Sequence, residues 1–230
     1  MILFHLKRIF ILCILIIASS LNAQDWADLK HFKVANQELL EPKTNENRVV
    51  FMGNSITIGW SHHKPGFFEG KPYVNRGISG QTTPQMLVRF RQDVIDLKPK
   101  VVVILAGTND IAGNTGPSTL QMIADNLMNM AELAEANGIK VVLCSVLPAY
   151  DYPWRKGLMP NKKIPALNKI IKDYANSKGF VYLDYFSAMT DGKNGLKKEL
   201  GSDGVHPNKK GYELMAPLAE QAIAKALKGS

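Results

Sequence analysis

Five consecutive branched aliphatic residues, Val101-Val102-Val103-Ile104-Leu105, stop abruptly at Ala106-Gly107. A strand that is apolar at every position is buried on both faces, as in the interior of a parallel sheet. Shorter apolar bursts repeat the theme at Val49-Val50-Phe51-Met52 before Gly53, from Lys140 to Ser145, and from Phe180 to Leu183. A weaker one, Tyr73-Val74, precedes the Gly77…Gly80 turn. Between these bursts the apolar spacing becomes helical. Thr83-Pro84, as cap and first-turn proline, opens a helix with Leu87, Phe90, Val94 and Leu97 on one side. Pro117-Ser118 opens another, carrying Met122, Ile123, Leu127, Met130 and Leu133 and stopped by Gly138. Further helices are expected from about Pro165 to Lys178 and from Gly211 to Leu227. Strands alternating with helices of this length imply right-handed crossovers and a parallel sheet covered on both faces.

No repeat, low-complexity tract or linker divides the pattern, and residues 49–230 are expected to form one domain. Ahead of it, residues 24–48 are expected to supply an amphipathic helix over 25–41 (Trp26, Leu29, Phe32, Leu39, Leu40) and a polar connection from Pro42 to Arg48. Residues 1–23 have a different character. Lys7-Arg8 precede the apolar run Ile9–Ala18 and then Ser19-Ser20-Leu21-Asn22-Ala23, the pattern of a secretory signal peptide cut after Ala23. The run is short of the roughly 20 apolar residues a spanning helix needs, so no stable membrane anchor is expected after cleavage. The mature protein is therefore expected to be exported, either periplasmic or secreted.

Composition then removes several function classes. Hydrophobic residues at 46% and charged residues at 21% are those of a globular chain. The formal charge of +8 invites a nucleic-acid reading. Without Lys7 and Arg8, however, 26 bases face 20 acids, and these are scattered; Lys197-Lys198 and Lys209-Lys210 are only pairs. Nucleic-acid recognition needs a clustered basic footprint, so no such partner is expected. Export also removes Cys13, leaving Cys144 alone in an apolar run, where it is expected to be a small buried hydrophobe.

In an open parallel sheet, ligands bind beyond the carboxyl ends of the strands. Three polar stretches fall there: Gly53-Asn54-Ser55, Ser79-Gly80 and Gly107-Thr108-Asn109-Asp110. A fourth, Asp203-Gly204-Val205-His206, precedes the last helix. A serine hydroxyl is a weak nucleophile until a base takes its proton, and His206 is the persuasive base. The mature chain's other histidines are His31, on the N-terminal helix, and His62-His63, in a polar loop. Asp203 stands three residues before His206, close enough to hold the far ring nitrogen and stabilise an imidazolium. Negative charge on an attacked carbonyl oxygen would need donors in place. The backbone N–H groups of Ser55 and Gly80 and the side-chain amide of Asn109 can serve. Taken singly, Ser55 is also a helix cap, Gly80 a turn, and Asn109 and Asp110 ordinary loop residues.

Together these stretches resemble the SGNH (GDSL-type) hydrolase family, whose signature residues are Ser, Gly, Asn and His in that order. The resemblance runs from about Val49 to the C-terminus. It rests on Phe51-Met52-Gly53-Asn54-Ser55, on Asn75-Arg76-Gly77-Ile78-Ser79-Gly80, on Gly107-Thr108-Asn109-Asp110 and on Asp203-Gly204-Val205-His206-Pro207. One position departs: Asn54 stands where the family commonly has Asp. The resemblance implies a three-layer α/β/α sandwich, flavodoxin-like, with a five-stranded parallel sheet. It also implies hydrolysis of esters or thioesters without metal or other cofactor. Ser55 would attack, His206 would act as base and then acid, and Asp203 would orient it. Ser55, Gly80 and Asn109 would form the oxyanion hole. Other signatures fail. Thr57 breaks Gly-x-Ser-x-Gly, no Walker lysine is present, and neither His62-His63 nor Cys144 has companions at metal-ligand spacing.

The aromatic stretch Tyr150-Asp151-Tyr152-Pro153-Trp154 follows a strand and is expected to overhang this edge. Tyr150, Tyr152 and Trp154 are its candidate substrate contacts, against a sugar ring or an acyl chain, or else they pack the loop onto the domain. With export, this favours removal of acetyl groups from a small-molecule or glycan ester. Lysophospholipid or thioester hydrolysis is the alternative, and a non-catalytic glycan- or surface-binding protein a third reading. The sequence carries no sign of oligomeric state.

Overall fold

The all-apolar runs become strands whose alternate residues enter two different cores. In the structure, a computed structural model that describes residues 25–229, the strands are β1 (Val49–Gly53), β2 (Tyr73–Gly77), β3 (Val101–Leu105), β4 (Lys140–Cys144) and β5 (Val181–Leu183). The expected signal peptide, residues 1–23, lies outside the described residues. Helices α1 (Lys33–Glu38), α2 (Ser55–His63), α3 (Thr83–Asp93), α4 (Thr108–Ile111), α5 (Leu120–Ala136), α6 (Pro160–Lys178), α7 (Tyr185–Met189) and α8 (Lys209–Lys228) connect and flank them.

The sheet is parallel throughout, in the order β2-β1-β3-β4-β5. Val50, Met52, Val102, Ile104, Val141 and Leu143 face a core completed by α3, α5 and α6. Val49, Phe51, Val101, Val103, Leu105 and Cys144 face the other, completed by α2 and α8. The result is an α/β/α sandwich. Each buried aliphatic side chain contributes about 1.5–3 kcal/mol relative to exposure, so two-sided burial doubles what a short strand can contribute.

Strand β1 lies at the switch point of this topology, with β2 on one side and β3 on the other. Gly53 is in register with Gly77 and with Leu105, so three strand ends finish level with one another. Gly77 must be glycine for close approach: a Cβ there would collide with the backbone of Ile58 and Asn54 at the start of α2.

Several boundaries differ from the sequence expectation, each for a local reason. Helix α3 is capped by Thr82, not Thr83, because Gln85 completes a capping box with it. Helix α5 begins at Leu120, where Thr119 accepts from Met122 N–H. Helix α6 begins at Pro160 and runs through Pro165. Pro165 cannot donate to the Asn161 carbonyl, and Asn194 Nδ2 donates to it instead at 2.9 Å. His62 and His63 end α2 and do not lie in a loop.

The expected N-terminal helix over 25–41 is reduced to α1. Turns occupy the preceding residues, Asp28 has φ +54°, and Trp26 and Leu40 are exposed. The carbonyls of Trp26, Ala27 and Leu29 accept from the side chains of Gln85, Gln81 and Gln92 instead of from helical N–H groups. This segment is strapped along the domain. Arg48 extends the attachment by donating to the carbonyls of Leu97 and Leu40.

Cys144 is buried on β4, and burial pushes its thiol well above the ordinary range. In protein beginning at Gln24, iodoacetamide followed by mass spectrometry should find Cys144 unmodified in the native state and alkylated in denaturant. Rapid native alkylation would contradict this packing.

Candidate active site

Beyond Gly53 the chain turns from β1 into α2, and Asn54 caps the helix by accepting from Ile56 N–H at 3.0 Å. Ser55 is the first residue of α2, so its own N–H has no acceptor within the helix. Its hydroxyl meets a side chain 151 residues away: Ser55 Oγ is 3.0 Å from His206 Nε2. On the other side of the ring, His206 Nδ1 is 2.7 Å from Asp203 Oδ2. The remaining oxygen, Asp203 Oδ1, accepts from the backbone N–H groups of His206 and Val205. Burial alone would raise the Asp203 carboxyl, but these N–H donors and the imidazole outweigh it and hold it below the ordinary carboxylate value. An ionised carboxylate only accepts hydrogen bonds, which assigns the proton to Nδ1 and leaves Nε2 to accept from the Ser55 hydroxyl.

The other candidates gather at the same edge. Gly80 has φ +77°, a conformation that side-chain-bearing residues enter at a cost, and only Asn114 Nδ2 lies near where a Cβ would be. Asn114 Nδ2 also donates to Gly80 O. Asn109, in α4 just after β3, is buried and donates through Nδ2 to Gln81 O at 2.9 Å. That bond uses one amide hydrogen and fixes the plane of the amide, leaving the second hydrogen for another acceptor. Asp110 holds this stretch down, accepting from both the backbone N–H and the hydroxyl of Thr83. Burial raises its carboxyl despite those two donors. Ser55 and Asn109 thus follow the two strands that flank the middle of the switch point, where doubly wound sheets place ligands.

The aromatic candidates divide. Trp154 is 48% exposed, and its ring centroid lies 5.8 Å from that of His206 at an interplanar angle of 35°. Tyr152 is wholly buried and presents no surface to a substrate, contrary to the expectation that it contacts one. Its hydroxyl bonds Thr108 Oγ1 at 2.9 Å and its ring stacks under Trp154, so it supports that indole. Tyr150 is 60% exposed and lies against Gly195, further out on the loop. Arg155 ties the loop to the carbonyls of Ala112 and Gly113 after α4.

Sequence reasoning passed over the buried polar residues behind the site, chiefly Arg89 and Gln81. One signal was available. Arg89 and Asp93 occupy the same face of α3 as Met86 and Phe90, and two charges on an apolar helical face demand partners.

Residues 51–214 match the GDSL-like lipase/acylhydrolase family. The chain belongs to that family. A solved structure from Bacteroides fragilis is 47% identical and has a TM-score of 0.86, covering 89% of this chain and 99% of its own. A GDSL-like lipase from Bacteroides thetaiotaomicron is 46% identical with a TM-score of 0.83, covering 87% of this chain and 98% of its own. An acetylxylan esterase from Xylanibacter ruminicola is 28% identical in an alignment that covers 79% of this chain and 44% of the relative. The chain therefore spans less than half the length of that curated relative.

Within this GDSL-like chain, Asn54 uses its amide oxygen where a carboxylate would offer the same acceptor. Asn54→Asp should destabilise less than Asn54→Ala, because the carboxylate keeps the capping acceptor and an anion at a helix N-terminus is favourable. Asn54→Ala should cost about 1 kcal/mol through loss of the cap. Denaturant unfolding of the two variants checks this; equal losses in both would contradict the capping role.

Proposed function

We propose that this protein is a serine ester hydrolase that removes small acyl groups, acetyl foremost, from carbohydrate esters outside the cytoplasm. The observation that carries the reading is the unbroken hydrogen-bonded line Ser55–His206–Asp203, with 3.0 Å and 2.7 Å at its two links.

The steps follow from proton positions. His206 Nε2 takes the Ser55 proton as Oγ attacks the ester carbonyl, and the ionised Asp203 stabilises the imidazolium. The carbonyl oxygen gains charge, and the N–H groups of Ser55 and Gly80 and the second amide hydrogen of Asn109 are the donors this reading assigns to it. The imidazolium gives its proton to the departing alcohol, leaving Ser55 acylated. Water, deprotonated by the same ring, then releases the acid.

Two observations favour a carbohydrate ester. The His206 and Asp203 side chains are each 36% exposed, so the edge is open to a bulky alcohol. The exposed face of Trp154 beside them suits a sugar ring. The acetylxylan esterase relative points the same way. Action outside the cytoplasm rests on the basic and apolar pattern of residues 1–23. Among the described residues no helix is long and apolar enough to cross a membrane.

A fluorophosphonate probe should label the wild type and not Ser55→Ala, and the variant should lose at least about 10³-fold in kcat against nitrophenyl acetate. An unlabelled, inactive wild type would sink the enzyme reading in favour of a binding protein. In a chain-length series activity should fall from acetyl to decanoyl, with acetylated xylo-oligosaccharides turned over; the opposite trend favours a lipid acyl hydrolase.

The lowered Asp203 carboxyl adds a pH prediction. Because its folded value is depressed, Asp203 stays ionised to a lower pH than an ordinary carboxylate and adds no second proton to the acid limb. The acid limb of kcat/KM should therefore show one proton, about tenfold per pH unit at its steepest. A two-proton limb would contradict the assignment.

A further inference from the structure

Behind the oxyanion donors, one buried guanidinium links the ends of two neighbouring strands. Arg89, on α3, is fully buried. Its Nη2 donates to Gly53 O at 3.1 Å and to Arg76 O at 2.9 Å, the carbonyls at the ends of β1 and β2. Its Nη1 pairs with buried Asp93 at 2.9 Å, and its Nε donates to Gln81 Oε1 at 2.6 Å. Gly53 O also accepts from Ile78 N–H, which brings the turn after β2 against the residue two before Ser55.

Gln81 follows Gly80 directly and is held at three points. Its Oε1 accepts from Arg89, its Nε2 donates to Ala27 O of the N-terminal strap at 2.7 Å, and its backbone carbonyl accepts from Asn109 Nδ2. A side chain anchored at both ends of its amide cannot rotate freely, so its backbone carbonyl is held too. Asn109 takes its orientation from that carbonyl, and Gly80 is the adjoining residue.

We propose that Gln81, clamped between Arg89 and the Ala27 carbonyl, is a positioning residue that sets the Gly80 N–H and the Asn109 amide for the developing oxyanion. The strap around Ala27 is thereby part of the active-site framework. This rests on the ester-hydrolase reading above, because it gives Gly80 and Asn109 an oxyanion to meet. Gln81 touches no substrate; it acts through the donors it holds. Displacing such donors by a fraction of an ångström weakens them in the transition state, while the ground-state ester is scarcely affected.

The test uses Gln81→Met, which breaks both side-chain anchors, and Gln81→Glu, which keeps an acceptor for Arg89 but loses the donor to Ala27. Both are assayed well below their unfolding midpoints, with folding checked by circular dichroism. For Gln81→Met, kcat and kcat/KM for nitrophenyl acetate should fall together by about 10- to 100-fold with KM within twofold. The affinity of phenylboronic acid, a tetrahedral mimic, should weaken by a similar factor, and Gln81→Glu should be intermediate. A variant with a lower unfolding midpoint but unchanged kcat and boronate affinity has lost only a structural contact and overturns the proposal. Should Gln81→Met fail to fold, Gln81→Glu decides: wild-type kcat overturns the proposal and a reduced kcat at constant KM supports it. A wild type that fluorophosphonate labels, with unaffected Gln81 variants, overturns this inference alone. An unlabelled and inactive wild type overturns the function reading with it.

Discussion

Parallel strands joined by crossover connections deliver every strand-to-helix loop to one edge of the sheet, and the rest of this protein depends on that constraint. The level ends of β1, β2 and β3 turn it into a location. Gly53, Gly77 and Leu105 finish together, so the turns that follow supply Ser55, Gly80 and Asn109 within one small region. Asp203 and His206 join from the far end of the chain through the turn that leads into α8. Gly77 tightens the assembly, since only a residue without Cβ lets the end of β2 approach the first turn of α2 so closely.

Close backbone packing at such an edge leaves carbonyls out of reach of water, and these need donors. Arg89 supplies them with geometry that lysine lacks, since its planar fork serves several acceptors at once. Burying a guanidinium and a carboxylate costs free energy that their attraction only partly offsets, so the Arg89–Asp93 pair is a poor explanation of stability by itself. What the pair does is hold the ends of β1 and β2 in a single arrangement. Burial also pulls Arg76 down to about 10, still charged at neutral pH, and the Phe32 ring of the strap lies 4.7 Å from it. Among the described residues, the one buried side-chain polar atom without a partner is Thr190 Oγ1, so each buried polar side-chain atom of this cluster has at least one partner.

How much was legible varied from element to element. β3 was plain, because two-sided burial demands an apolar residue at every position. β2 was faint beyond Val74, because Asn75 and Arg76 on an edge strand take partners outside the sheet: Asn75 bonds Thr57 O and Arg76 bonds Asn36. The N-terminal apolar spacing suggested a full amphipathic helix, but tertiary acceptors captured its carbonyls and left α1 alone. Ser55, Gly80, Asn109, Asp203 and His206 were legible through the order of their short motifs. Tyr152 was not, since an aromatic residue in a loop can face substrate or support its neighbour.

By itself, the sequence determined the parallel α/β architecture, the edge at which polar residues collect and the family the chain resembles. Those are local properties: strand burial, helix period, turn chemistry and the three-residue spacing of Asp203 and His206. Tertiary structure decided that Ser55 meets His206 across 151 residues, that Tyr152 lies beneath Trp154, and that the strap closes over Arg89. Arg89 reaches Gly53 over 36 positions, and Gln81 reaches Ala27 over 54. Their acceptors are backbone carbonyls, which every residue carries alike, and so no side-chain pattern in the chain could mark them in advance.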